Sequence, residues 1–254
     1  MGRYRWRSGA VLAIAATALV SHGMTAVDES TPVSAPVVRP AAATTDTATP
    51  APPPAPAYAA VGALFSGGRH FCSASVVDSP AGDLVLTAAH CVQAGTAQEL
   101  TFAPGYHDGV APYGLWTVTG VFVPDGWTAS AEEDLDFAFL TVQQAGNTHS
   151  VQSLTGAEEL ATGRGFVNDI TIVGYPDGAE SPVVCNNTTT QAATYQQEIA
   201  CPGFPDGTSG GPWLTRDGEV IGVIGGYELG GTPDVSYSAY FDEDIQNLYD
   251  AAIR

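Results

Sequence analysis

Three short stretches of the chain hold residue types that could do chemistry together. The first is Thr87-Ala88-Ala89-His90-Cys91, directly after the apolar run Leu84-Val85-Leu86. The second is Asp134-Leu135-Asp136-Phe137-Ala138-Phe139-Leu140, an acid entering an apolar strand, and the third is Gly207-Thr208-Ser209-Gly210-Gly211-Pro212. A serine hydroxyl is a weak nucleophile. It needs a neighbouring base, and N–H donors for the oxyanion that forms on attack. Glycines beside the serine let the backbone turn sharply and aim two N–H groups at one point, here those of Gly207 and Ser209.

The order of the residues narrows the choice. Gly207-x-Ser209-x-Gly211 also satisfies the nucleophile-elbow pattern of α/β-hydrolases, which place the catalytic histidine after the serine. All five histidines here (His22, His70, His90, His107, His149) precede Ser209. The subtilisin order needs an acid before His90, and Asp78 and Asp83 lack a supporting motif. His90 as base, Asp136 as the group orienting it and Ser209 as nucleophile is the order the chain supports. Asp134 competes with Asp136, since on a strand the two share a face; Asp136 is preferred because the apolar strand follows it directly. His70, His107 and His149 read as exposed or turn histidines.

The elements that must position these residues are short β-rich runs between Gly, Pro and Asp: Phe71 to Val77, Leu84 to Thr87, Leu115 to Val123, Phe137 to Val142, Ile170 to Val173, Val220 to Ile224 and Val235 to Tyr240. That spacing predicts an all-β barrel or sandwich. Asp242 to Ile253 is the exception, with a cap at Asp242 and Ile245, Leu248, Tyr249 and Ala252 at helical intervals, and predicts a C-terminal helix.

Not all 254 residues belong to that domain. Residues 1–26 carry Arg3, Arg5 and Arg7, then an apolar run from Ala10 to Val20, then small residues, the layout of a secretory signal peptide. The run is too short to cross a hydrocarbon core, which takes roughly 20 residues. Residues 27–57 are almost entirely Ala, Pro, Thr, Val and Ser and predict an extended linker or pro-segment. Residues 58–254 form the domain. Three of the 27 acids lie before Tyr58, leaving 24 against four arginines, a net charge of −20. Such a surface repels phosphate backbones and anionic lipid, which argues against nucleic-acid and membrane partners. The expected form is a monomer.

Four cysteines after an export signal predict disulfides. Three pairings are open, of which Cys72–Cys91 with Cys185–Cys201 is the simplest, closing two local loops, each bond contributing roughly 3 kcal/mol. Without a Cys-x-x-Cys spacing or an EF-hand loop, no metal and no cofactor are expected.

Taken together, the His90 and Ser209 motifs resemble those of the trypsin/chymotrypsin superfamily, especially its compact secreted bacterial members. Phe71-Cys72-Ser73-Ala74-Ser75-Val76 resembles the family strand that holds the partner of the cysteine after the catalytic histidine, which supports Cys72–Cys91. Asp136-Phe137-Ala138 resembles the family's Asp-(apolar)-Ala segment. The resemblance implies two six-stranded antiparallel barrels, with His90 and Asp136 from the first, Ser209 from the second, and the site in the crevice between them. It implies extracellular hydrolysis of peptide bonds in polypeptide substrates through an acyl-enzyme. A silent protease-like barrel that binds a protein partner, and an esterase, are the alternatives.

The departures from the pattern also carry information. Thr208 stands where zymogen-type members have an Asp that pairs with a freed N-terminal amine, so activity is expected not to depend on an inserted N-terminus. Gly203, six positions before Ser209, replaces the Asp of enzymes that prefer Arg or Lys. Gly225, Gly226 and Tyr227 resemble the segment that pairs with substrate backbone. No histidine follows position 149, unlike glutamate-specific bacterial relatives.

Overall fold

The structure, a computed structural model, describes residues 46–50, 58–92 and 99–254. The expected signal peptide lies outside them. Fifteen strands run through the described residues. They are β1 Thr49–Pro50, β2 Val61–Ser66, β3 Arg69–Val76, β4 Leu84–Thr87, β5 Leu100–Pro104, β6 Trp116–Phe122, β7 Ala138–Gln143, β8 Glu159–Leu160 and β9 Asp169–Gly174. After these come β10 Val183–Thr188, β11 Thr190–Ala193, β12 Gln196–Ile199, β13 Pro212–Thr215, β14 Glu219–Val223 and β15 Ser236–Ala239.

The first half closes into a six-stranded barrel in the order β2-β3-β4-β7-β6-β5. Its first hairpin turns at Gly67-Gly68, both at positive φ (58° and 82°), which suits the right-handed twist of the flanking strands. Strand β4 is buried along its whole length, packing Leu84 and Leu86 with Phe102, Phe137, Phe139 and Leu140. Closing the barrel gives each of its strands a neighbour on both sides.

The second half is less regular than the first. A six-stranded sheet, β1-β10-β9-β13-β14-β8, faces a three-stranded sheet, β11-β12-β15, and backbone pairing does not close them into one ring. A second core of Ile170, Ile172, Ile199, Trp213, Ile221 and Ile224 fills this half, together with the Cys185–Cys201 disulfide. The first core reaches across the junction to Val173, Tyr175, Leu214 and Val223, so apolar packing joins the two halves.

The C-terminal helix, α3 in chain order after two short ones (α1 Asp125–Ser130 and α2 Val151–Thr155), spans Glu243–Ala252. Asp242 caps it, accepting from the Asp244 amide at 2.9 Å, and Ile245 and Ala252 are buried. Both expected disulfides form, with Cα–Cα distances of 6.1 Å.

The stretch expected to be an extended linker or pro-segment contains β1, which pairs Thr49 with Val184 at the edge of the second sheet, while the Ala48 amide donates to Pro202 O at 2.8 Å. An Ala- and Thr-rich segment has little apolar surface of its own. A sheet edge supplies the missing hydrogen-bond partners, so backbone pairing holds it without a core.

Candidate active site

His90 sits in a 3-10 turn, Ala89–Cys91, into which the chain bends as it leaves β4. The Cys72–Cys91 disulfide ties that turn to β3. Its sulfurs lie near the imidazole, but paired sulfurs offer no thiolate, so this cluster is a poor metal site.

Asp136 is fully buried and accepts three hydrogen bonds. Oδ1 takes the His90 backbone N–H at 2.9 Å. Oδ2 takes the Gly226 N–H at 2.8 Å and lies 2.7 Å from His90 Nδ1. With a proton on Nδ1, the imidazole presents its other nitrogen to the cleft as an acceptor.

Asp134 plays a different part. Residues Glu133–Leu135 form a 3-10 turn and not a strand, so the two acids do not share a face. Asp134 Oδ1 instead accepts from Gln196 Nε2 at 2.9 Å, and the same nitrogen donates to Glu133 O. Gln196 also accepts the Tyr227 amide through Oε1. This buried glutamine, which no sequence signal marked, clamps the acid-bearing turn against the second half of the molecule.

Ser209 and His90 line one cleft of about 740 Å3 between the halves. Other lining residues are Gly203, Phe204, Ile224, Glu228 and Leu229. The Ser209 hydroxyl is 3.5 Å from Leu229 O, to which it donates.

The backbone around the serine is tightly determined. Gly207 has φ +93°, and a Cβ there would overlap the Asp177 amide nitrogen and approach Tyr175 O to 2.7 Å, so only glycine fits. The Thr208 amide donates to Pro205 O, Gly210 to Ile224 O and Gly211 to Thr208 O. Among the described residues, the amides of Gly207 and Ser209 donate to no protein acceptor. Those are the two N–H groups expected to serve an oxyanion.

Of the residues expected to touch substrate, Gly203 lines the cleft. Gly225, Gly226 and Tyr227 lie behind it, and their amides are engaged by Tyr237 O, Asp136 Oδ2 and Gln196 Oε1. The Tyr227 ring packs edge-on against Tyr237 at 6.0 Å. The wall beside Ser209 is formed by the next residues, Glu228 to Thr232, with Glu228 and Leu229 in left-handed conformations (φ 53° and 54°). Nothing in the sequence pattern marked that reversal.

The chain matches the family model of the trypsin-like peptidase domain over residues 72–223. No curated protein sequence matches it. Among solved structures it resembles the protease Anisep from Arthrobacter nicotinovorans, with 26% identity over 83% of this chain and 99% of that one, at a TM-score of 0.68. A thermostable serine protease, AL20, from an extremophilic microorganism is 27% identical over 78% of this chain and 99% of its own, also at 0.68. A Glu endopeptidase, at 19% identity, 83% and 98% coverage and 0.68, shares the fold. A match that runs from the cysteine beside the cleft to the strand behind Ser209, over more than half of the sequence, makes this chain a member of the trypsin-like peptidase domain family.

Proposed function

We propose that the protein is a secreted serine endopeptidase in which Ser209 attacks the scissile carbonyl, His90 takes its proton and Asp136 orients and stabilises the imidazolium. The observation that carries this reading is the fully buried Asp136 carboxylate 2.7 Å from His90 Nδ1, with Ser209 in the same cleft. Attack requires the Ser209 hydroxyl to leave Leu229 O and turn to the imidazole. Catalytic hydrogen bonds in ligand-free sites often tighten only when substrate arrives. The oxyanion then lies between the unengaged amides of Gly207 and Ser209. His90 returns the proton to the leaving amine, and water repeats the cycle on the acyl-enzyme.

Two disulfides and the layout of the first 26 residues support export. Among the described residues no helix is long and apolar enough to cross a membrane. Polypeptides are the substrates, and the acidic surface disfavours nucleic acid. The cleft is lined by Phe204, Pro205, Ile224 and Pro233, with Asp206 and Glu228 as its acids and no Lys or Arg among the described lining residues. That lining favours apolar or cationic side chains over acidic ones.

The hydrogen bond from Ser209 to Leu229 O is the observation that favours a catalytically silent barrel. A fluorophosphonate probe separates the readings. The mature protein is expected to be labelled, Ser209→Ala not, and casein turnover to be lost with it. Equal labelling of both proteins would exclude Ser209 as nucleophile. Comparing amide with ester substrates distinguishes a peptidase from an esterase.

A further inference from the structure

We infer that Ser73 is a positioning residue for the oxyanion-binding loop, acting through its hydroxyl; the inference rests on the serine-peptidase reading of this cleft. Ser73 lies on β3, one residue after the disulfide-bonded Cys72, and is fully buried. The β3–β4 ladder pairs only Ser75 with Leu86 and Val76 with Val85. After Thr87 the chain bends away to place His90, so the β3 edge at Ser73 has lost its strand partner. The vacated positions are taken by the other half of the molecule. The Ser73 N–H donates to Ser209 O at 2.7 Å, and its hydroxyl donates to Gly207 O at 3.0 Å. The hydroxyl oxygen accepts the Tyr175 N–H at 2.8 Å, and Ser73 O accepts the Thr87 hydroxyl at 2.8 Å. One side chain and its own peptide groups thus join the segment leading to His90, the residue that follows β9 and the loop carrying Ser209.

The consequence follows from peptide planarity. In a planar trans peptide, fixing the carbonyl oxygen fixes the direction of the N–H on the other side of the bond. Four consecutive carbonyls in the loop are each held by one donor. Asp206 O takes the Asp177 amide at 2.7 Å and Thr208 O the Gly211 amide at 2.9 Å, while Gly207 O and Ser209 O are held by Ser73. Three of these donors are backbone groups; the Ser73 hydroxyl is the only side chain. The plane it holds, between Gly207 and Thr208, separates the two N–H groups of the oxyanion pair. Once the hydroxyl is gone, that plane keeps only the longer 3.2 Å bond from the Thr208 amide to Pro205 O, and Gly207, at φ +93°, has the conformational latitude to let it turn. Ser73→Ala also leaves Gly207 O and the Tyr175 amide, both in buried residues, without this partner.

Ser75 provides the control. It lies two residues along the same strand and is equally buried, but among the described residues its hydroxyl has no hydrogen-bond partner. Losing a serine hydroxyl from this strand is therefore separable from losing this contact.

The test compares wild type, Ser73→Ala and Ser75→Ala as full-length secreted protein. It reads kcat and KM on a peptide amide, and the Ki of a peptide aldehyde whose hemiacetal oxygen occupies the oxyanion position. Removing a whole oxyanion donor costs about 100- to 1,000-fold in kcat, and loosening two should cost less. Ser73→Ala is expected to lower kcat about 10- to 100-fold with KM nearly unchanged, and to weaken the aldehyde in proportion. Ser75→Ala is expected to match wild type in all three. If Ser73→Ala keeps wild-type kcat, changes KM alone, or loses only what its folded fraction loses, the inference is overturned. Should the alanine variant fail to accumulate, Ser73→Gly, which also lacks the hydroxyl and adds no atoms, is read in the same way. A wild-type protein that neither labels nor turns over substrate sinks the peptidase reading itself, and this inference with it.

Discussion

Replacing Asp136 by Asn probes the site without changing its shape. The carboxylate accepts the His90 amide on Oδ1 and both His90 Nδ1–H and the Gly226 amide on Oδ2, at 2.7–2.9 Å, with no solvent to substitute for any of them. An asparagine has one acceptor oxygen and one NH2 group. If the NH2 replaces Oδ1, it faces the His90 amide, donor against donor. If it replaces Oδ2, it faces the Gly226 amide and donates to Nδ1, which puts the imidazole proton on Nε2, where no serine proton can be accepted. Either orientation leaves a buried donor unpaired, which costs about 1–3 kcal/mol of stability. Both remove the charge that stabilises the imidazolium. Breaking a buried charge pair costs about 3–5 kcal/mol, and each 1.36 kcal/mol is tenfold in rate. Asp136→Asn is therefore expected to fold, melt a few degrees lower, and lose about 100- to 10,000-fold in kcat. Steady-state kinetics on an ester and an amide, with a melting curve on the same sample, measure both effects. A folded variant within about fivefold of wild-type kcat would refute the assignment of Asp136.

Further outcomes follow from other contacts. Gly207→Ala is expected to lose at least about 100-fold in activity, because its Cβ overlaps Asp177 and Tyr175 in a left-handed position; titrating the fluorophosphonate-reactive fraction measures this. Removing the Cys72–Cys91 bond, which closes a 19-residue separation, is expected to cost about 3 kcal/mol in denaturant melts and to lower kcat, since it ties the His90 turn to β3. Deleting the chain through Pro50 is expected to lower the melting temperature and raise KM relative to a chain beginning at Asp46, because Ala48 lies against Gly203 in the cleft wall. Glu158 is 8% exposed, and burial pushes its carboxyl from 4.5 up to about 7. The folded state then holds the proton more tightly than the unfolded chain, so stability is full below about pH 4.5 and falls as pH rises to about 7, by roughly 3 kcal/mol in all. Glu158→Gln is expected to flatten that part of the stability–pH curve.

The strands that could be read from the sequence are those with an apolar face or a continuous apolar run, such as Leu84–Thr87, which is buried along its length. The hairpin β11–β12 was not legible. Its Thr-Gln-Ala-Ala and Gln-Gln-Glu-Ile segments lack apolar alternation, and its buried Gln196 and Gln197 are satisfied by Glu133 O, Asp134 and Ile221 O, partners 24 to 63 residues away. The edge strand β1 was hidden for the same reason, since its only signal is backbone pairing with β10.

The sequence by itself determined the three candidate side chains and their order, the capped C-terminal helix and a mainly β class. Each of these is written in neighbours within a few residues: a glycine turn, a cap, an apolar run after an acid. Only the tertiary structure decided which of two acids meets His90, because a 3-10 turn and a distant glutamine carry Asp134 away. It also decided that the amides of Gly225 to Tyr227 are engaged elsewhere, and that Ser73 closes the gap left where β4 departs. Those outcomes depend on which donors remain unpaired once the two halves meet, and that exists only in the folded chain.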